Sequence, residues 1–311
     1  MGISFELSEI NRMAKADPRR FMAECDSALN AKIALAAAGI ATAAADKPIV
    51  LLSGPSGSGK TTMAGKLSMG MSYIGVKCHV VSMDDYYLNF NPGTHPRDKR
   101  GNIDFESPEC LDIPLLTEHF GILASGGKIE VPHFDFTLQK RLDIPGRLIR
   151  LQKDDVVIFE GIHALNPSML RGGFGATRVY ASARSGVKRA GEAFFKSTWC
   201  RLVRRMIRDD NFRGWKPDRT MSLWAGVRRG EKKYISPYKE FADIVIDTSL
   251  PYEAPVLKNH AAHLFSEIPA GVERGDEFRQ IVERLAEFCP IEERMVSVKS
   301  LLREFIGGGL I

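Results

Sequence analysis

Two hydrophobic regimes alternate along this chain. Short, nearly continuous apolar runs of strand length recur, and longer stretches with helical spacing separate them. The strand candidates are Ile49-Val50-Leu51-Leu52, Cys78 to Ser82, Lys128 to Val131, Val156 to Phe159, Arg178 to Ala181 and Asp243 to Ile246. A helix is predicted from Lys60 to about Tyr73, between the first two runs. Strands alternating with helices predict an α/β fold: a mostly parallel sheet flanked by helices on both faces, with ligands at the carboxyl ends of its strands. Residues 1–47 read as a helical extension, with Phe21 to Leu29 amphipathic, Ala31 to Ala45 alanine-rich and Pro48 closing the segment. Residues 48–311 then form the main domain. The stretch 84–107, rich in Asp, Asn, Pro and Gly, is too long for an ordinary connection and reads as a functional loop.

Composition narrows the partners. A chain of 311 residues with 44% hydrophobic and 26% charged residues can bury a large core and suits one α/β domain with an appendage. The net charge of +5 is mild, and its basic residues concentrate in Arg201 to Arg213. That distribution suits a small anionic ligand; nucleic acid is not required, and a homo-oligomer stays open. Cys25, Cys78, Cys110, Cys200 and Cys289 are odd in number and lack a C-x-x-C pair, which argues against a zinc site or disulfide framework and for a reducing cytoplasm. No stretch approaches the roughly 20 apolar residues that span a bilayer, and Met1 to Ile10 has no basic start before an apolar core, so neither a membrane nor secretion is expected.

Directly after the first apolar run stands G-P-S-G-S-G-K-T-T, residues Gly54, Pro55, Ser56, Gly57, Ser58, Gly59, Lys60, Thr61 and Thr62. The spacing G-x-x-x-x-G-K-[ST] makes a phosphate-binding loop: the glycines let backbone N–H groups curl around phosphate oxygens, Lys60 reaches the β and γ phosphates, and Thr61 offers its hydroxyl to Mg²⁺. The helix that follows points its positive end at the anion. A P-loop NTPase fold that binds a nucleoside triphosphate with Mg²⁺ is therefore expected. Asp84 and Asp85 follow the strand Cys78 to Ser82, so a carboxylate stands on the same rim, where it suits a general base. A turn or helix-cap aspartate is the plainer alternative. Tyr86 and Tyr87 either wall a substrate pocket or cover the core. Glu160 ends an apolar strand, where a carboxylate can hold Mg²⁺ or its waters, or simply start a turn. His163 lacks a spaced partner for a metal site and reads as structural. Arg201, Arg204, Arg205 and Arg208 share one helical face, followed by Arg213. Either that face is solvated, or residues of about 199–232 form an arginine-rich lid whose cations meet the transferred phosphoryl group.

Taken together these residues resemble the uridine kinase and phosphoribulokinase family of P-loop kinases from about residue 48 to the C-terminus. The carriers, in order, are G-P-S-G-S-G-K-T-T, S82-M-D-D-Y-Y87, N102-I-D-F-E106, V131-P-H-F-D-F136, F159-E-G-I-H-A-L165 and R201-L-V-R-R-M-I-R-D209. Glu160 to Asn166, Gly230 to Tyr238 and the ending S-L-L-R-E-F-I-G-G are similar to a bacterial nucleoside kinase branch, whose members often carry an N-terminal region related to threonyl-tRNA synthetase. The resemblance implies ATP-dependent phosphorylation of a nucleoside 5′-hydroxyl, with uridine or cytidine as the default acceptor. It implies Asp84 as base and metal neighbour, Thr61 and Glu160 at Mg²⁺, and Lys60, Arg208 and Arg213 at the phosphates. Asp104 and Arg205 would hold the ribose, with Tyr86, Phe134, Asp135 and Gln139 around the acceptor. Phe134 and Gln139 stand where uridine-cytidine kinases place a Tyr and a His, which keeps a purine nucleoside or sugar phosphate in play. Trp199 replaces an Asp that usually partners Arg201, and Trp215 replaces an Arg; both raise the alternative of a weak nucleotide-binding module.

Overall fold

The computed structural model describes residues 4–170, 173–266, 268 and 274–310. Among them, five parallel strands form the central sheet in the spatial order Ile244–Asp247, Ala176–Ser182, Ile49–Ser53, Val156–Glu160, Cys78–Ser82. The strand that leads into the phosphate loop is thus central. Its side chains alternate between two cores. Val50 and Leu52 pack with Met63, Ala64 and Leu67 of α3 (Lys60–Tyr73), while Ile49 and Leu51 face Leu116 and Phe120 of α4 (Ile113–Ala124). Burial on both faces explains why this strand is apolar at four successive positions. The α/β class, with helices covering both faces, is what the strand-and-helix order predicts.

Lys128–Val131 is a strand but lies outside that sheet. It pairs antiparallel with Arg147–Arg150, with Ile129 and Val131 buried and Lys128 and Glu130 exposed. The alternation K-I-E-V marks a strand covered on one face only, and counting it among the buried runs misplaces it.

Before the central sheet, α1 (Leu7–Ala16) and α2 (Pro18–Thr42) follow a short strand, Phe5–Glu6, which pairs parallel with Val187–Arg189. The purely helical reading of 1–47 missed that strand. It is fixed by a distant backbone partner, Phe5 N–H donating to Gly186 O at 3.0 Å. Asp17 caps α2 by accepting from Arg20 N–H, and Pro18 occupies the first turn, where no N–H is needed. Met22, Ile33, Ala37 and Ile40 of α2 join the core that α3 also feeds.

Beyond the sheet, α5 (Ser197–Arg213) ends at Gly214 in the left-handed region and is followed by α6 (Pro217–Gly230). Then come α7 (Glu253–Ser266), α8 (Gly275–Ala286) and the single turn α9 (Arg303–Ile306). Among the described residues no helix is long and apolar enough to cross a membrane.

Candidate active site

The phosphate loop is built by close backbone approach. A Cβ at Gly54 would lie 1.9 Å from the Ala181 carbonyl oxygen, so only glycine fits there. Gly59 has φ +85° and caps α3 from the left-handed region. Neighbouring side chains hold the loop's carbonyls. Thr248 Oγ1 donates to Ser58 O at 2.7 Å, Arg201 Nη1 to Ser56 O at 3.2 Å, and Arg204 Nη1 to Gly57 O at 3.4 Å. Arg205 Nη1 donates to Ser56 Oγ at 2.8 Å, and Lys60 Nζ reaches Pro55 O at 3.4 Å. Pro55 also accepts from Ser58 N–H at 3.2 Å.

Glu160 closes one side of the loop. Its Oε1 accepts from Thr61 Oγ1 at 3.3 Å and from Ser82 Oγ at 3.4 Å. Burial, helped by the charges of Asp84 and Glu304 and opposed by Lys60, pushes its carboxyl up to about 7. A carboxylate and a hydroxyl at two strand ends, with a second hydroxyl from the first turn of α3, form a hard-oxygen set that fits Mg²⁺, which would fill the rest of its shell with water and phosphate. Ser82 was missed in the sequence; its place at the last residue of a strand was the available signal.

Asp84 sits at the start of the 3₁₀ turn Met83–Tyr86, its N–H donating to Ser82 Oγ at 3.3 Å. Burial raises its pKa against the cations Lys60, Arg213 and Arg208. Burial likewise lowers the pKa of Lys60, opposed by Glu160, Asp84 and Glu304. Lys60, Asp84, Glu160, Arg208 and Arg213 thus share one electrostatic neighbourhood.

The arginine helix lies across this neighbourhood, and carboxylates supply the anions that its crowded charges need. Arg201 pairs with Glu231 at 2.8 Å, so the partner absent at Trp199 is provided 30 residues downstream. Arg204, fully buried, meets Glu253 at 2.5 Å. Arg205, Arg208 and Arg213 approach Asp209 at 3.3, 2.6 and 3.6 Å. Asp209 also accepts from Thr220 Oγ1. Trp199 is a core residue whose Nε1 donates to Glu277 at 2.8 Å, and Trp215 stacks with the guanidinium groups of Arg213 and Arg219. Trp224 is buried as well.

The acceptor-side expectations divide. Asp104 Oδ2 accepts from Tyr234 OH at 2.8 Å, and its Oδ1 from Glu106 N–H at 3.3 Å. Arg205 points at Ser56 and Asp209, within the field of Glu106. Glu106, quoted in its motif without a role, has its pKa raised by burial, opposed by Arg205 and Lys60. Tyr86 is corrected: it is fully buried, its hydroxyl 2.9 Å from His119 Nδ1, because it follows the turn into the core beside Phe159. Tyr87 is the one of the pair that feels Asp84, Glu106 and Arg213. Asp135 has a structural duty beside the one expected of it. Its carboxylate caps the turn of its hairpin, accepting from Thr137 and Leu138 N–H at 2.7 and 2.9 Å. Phe134 is covered by Tyr87 and Phe136, with ring centroids 5.7 and 5.1 Å away. Gln139 is exposed at φ +52°, its carbonyl accepting from Phe90 N–H. His163 is buried against Tyr234, and neither ring nitrogen has a hydrogen-bond partner among the described residues; burial pushes its pKa down to about 4.

Residues 49–185 match the Phosphoribulokinase / Uridine kinase family. A uridine kinase of Lactobacillus helveticus is 30% identical over 203 residues, covering 65% of this chain and 87% of that protein. A uridine kinase of Deinococcus deserti is 30% identical over 202 residues, covering 64% and 87%. A solved structure described as a "Possible Uridine Kinase" from Bacillus stearothermophilus superposes with a TM-score of 0.46 at 21% identity, covering 70% of this chain and 99% of that one.

Proposed function

The chain belongs to the phosphoribulokinase and uridine kinase family of ATP-dependent small-molecule kinases, and from that premise we propose that it phosphorylates the 5′-hydroxyl of a nucleoside, with uridine or cytidine as the default acceptor. The observation that carries the proposal is the meeting of the phosphate loop with two acids at the carboxyl ends of adjacent parallel strands: Glu160 accepts from Thr61 and Ser82, and Ser82 accepts from the Asp84 N–H. Donor phosphates lie along the loop, and Asp84 accepts the acceptor's proton. Burial strengthens Asp84 as a base, while Lys60, Arg213 and Arg208 favour its ionised form. Lys60, Arg208 and Arg213 offset charge on the transferred group. Asp104 and Arg205 hold the ribose hydroxyls. Thr61, Glu160 and Asp84 would hold Mg²⁺, which when bound would neutralise charge on the donor phosphates. A cytoplasmic setting, where ATP is at hand and thiols stay reduced, belongs to the same proposal.

A second reading, a purine nucleoside or a sugar phosphate as acceptor, is favoured by one observation. Phe134 and Gln139 carry neither the phenol nor the imidazole that read a pyrimidine elsewhere in the family, and Phe134 is covered while Gln139 is exposed. The reading of a weak nucleotide-binding module loses part of its motive, since Trp199 packs in the core and Arg201 is paired, while Trp215 still stands in the place of an Arg.

Asp84→Asn separates catalysis from binding. We expect ATP affinity within a few-fold of wild type and transfer slowed by roughly 10²-fold or more, as for loss of a positioned base. Equal, low transfer in both proteins would instead favour the binding module.

A further inference from the structure

The N–H of Thr62, in the first turn of α3, donates to Glu304 Oε2 at 3.0 Å across 242 residues of sequence. This donor is one of the backbone groups with which a phosphate loop cradles the α and β phosphates. The carboxylate is not there by chance packing of a loose end. Arg303 donates to the carbonyls of Glu293, Val296 and Gly307. Asn211 Nδ2 donates to Phe305 O at 3.1 Å, and the Arg204 guanidinium lies 5.1 Å from the Phe305 ring centroid. Leu301 packs so closely on the loop that a Cβ at Gly59 would meet its side chain at 2.9 Å. Glu304 also acts electrostatically on both Lys60 and Glu160. A cap for α3 would explain the bond by itself, since a first-turn N–H welcomes any acid. It would not explain why the acid is held from the far end of the chain at the one helix whose free N–H groups have a phosphate to bind.

We propose that Glu304 is a built-in competitor for nucleotide: its carboxylate and an α-phosphate oxygen exclude one another at Thr62 N–H, so nucleotide binding must turn Glu304 away. The proposal rests on the reading of Gly54 to Thr62 as the nucleotide site. The fixed backbone of residues 303–306 confines the change to the Glu304 side chain, and the competition lowers apparent affinity by the fraction of molecules in which the donor is taken.

Calorimetric titration of the full chain with AMP, ADP and ATP tests this in wild type, Glu304→Gln, Glu304→Asp and Lys60→Ala. Both Glu304 variants are expected to bind AMP, and ATP equally, about tenfold tighter, because the first leaves a neutral amide oxygen that is a weaker acceptor at Thr62 N–H and the second withdraws the carboxylate by one methylene. General charge repulsion would instead help only Glu304→Gln, with a gain that grows from AMP to ATP. That pattern, or unchanged affinity in both variants, overturns the proposal. Lys60→Ala guards the premise: if it fails to weaken ATP binding, the loop is not the nucleotide site, whereas weakening there without tightening in the Glu304 variants removes only this inference.

Discussion

Glu253→Gln should be among the most destabilising single changes in this protein, although Glu253 is no candidate for catalysis. The reason is the arginine it serves. Arg204 has a side chain 0% exposed, and that of Glu253 is 5% exposed. Burial opposes the charge of Arg204, but Glu253, together with Cys200 and Glu304, more than offsets it, and the guanidinium stays firmly protonated. The pair is completed by Arg204 Nη2 to Thr248 O at 2.8 Å and by Leu250 N–H to Glu253 Oε1 at 3.1 Å. Glutamine keeps the shape but leaves a buried cation without its counter-charge, a loss of about 3–5 kcal/mol. Replacing both partners, Arg204→Met with Glu253→Leu, removes the orphan charge. It still leaves the carbonyls of Thr248 and Gly57 without a donor and the Leu250 N–H without an acceptor, at about 1–3 kcal/mol each. Urea unfolding of the wild type, Glu253→Gln, the singles Arg204→Met and Glu253→Leu, and the double variant gives a coupling energy for the Met and Leu pair, expected to be at least about 2 kcal/mol. Glu253→Gln within about 1 kcal/mol of wild type, or a double variant whose loss equals the sum of the singles, would refute the reasoning.

Two further outcomes follow from buried groups. Tyr86→Phe should cost about 1 kcal/mol in urea unfolding, from the lost bond to His119, and leave the acceptor KM unchanged; a raised KM at unchanged stability would return Tyr86 to the substrate pocket. His163 has a folded pKa near 4 against an ordinary 6.5, so the unfolded chain takes up the proton first as pH falls. Its contribution is therefore full above about pH 6.5 and declines on acidification towards 4, by about 2 kcal/mol between pH 7 and 5. Unfolding curves at both pH values should show wild type losing that much more than His163→Leu, and parallel losses would contradict the burial of a neutral ring.

The legible parts of this protein were those whose physics is local. The phosphate loop follows from nine consecutive residues, Gly54 to Thr62, and Glu160 and Asp84 from their places at strand ends. Alternation within one strand would also have set Lys128–Val131 apart. What was hidden depends on residues far apart in sequence. Arg201 looked unpaired because Glu231 joins it only when α6 folds back, and Arg204 finds Glu253 across the sheet's carboxyl edge. Four arginines on one face suggested a waiting phosphate; the carboxylates already among them were in plain view only at Asp209, one turn from Arg205. Tyr86 and Tyr87 are neighbours of the same chemistry, and only the direction of a 3₁₀ turn decides which is core. Nor does the sequence show that Asp135 caps the turn of its own hairpin.

The most direct test is to incubate the protein with ATP and Mg²⁺ and a panel of nucleosides and sugar phosphates, and to identify products by mass spectrometry and ³¹P NMR. A nucleoside 5′-monophosphate, formed by wild type and reduced roughly 10²-fold or more by Asp84→Asn, is the expected result. Turnover of no nucleoside would contradict it, as would a product formed equally well without the Asp84 carboxylate.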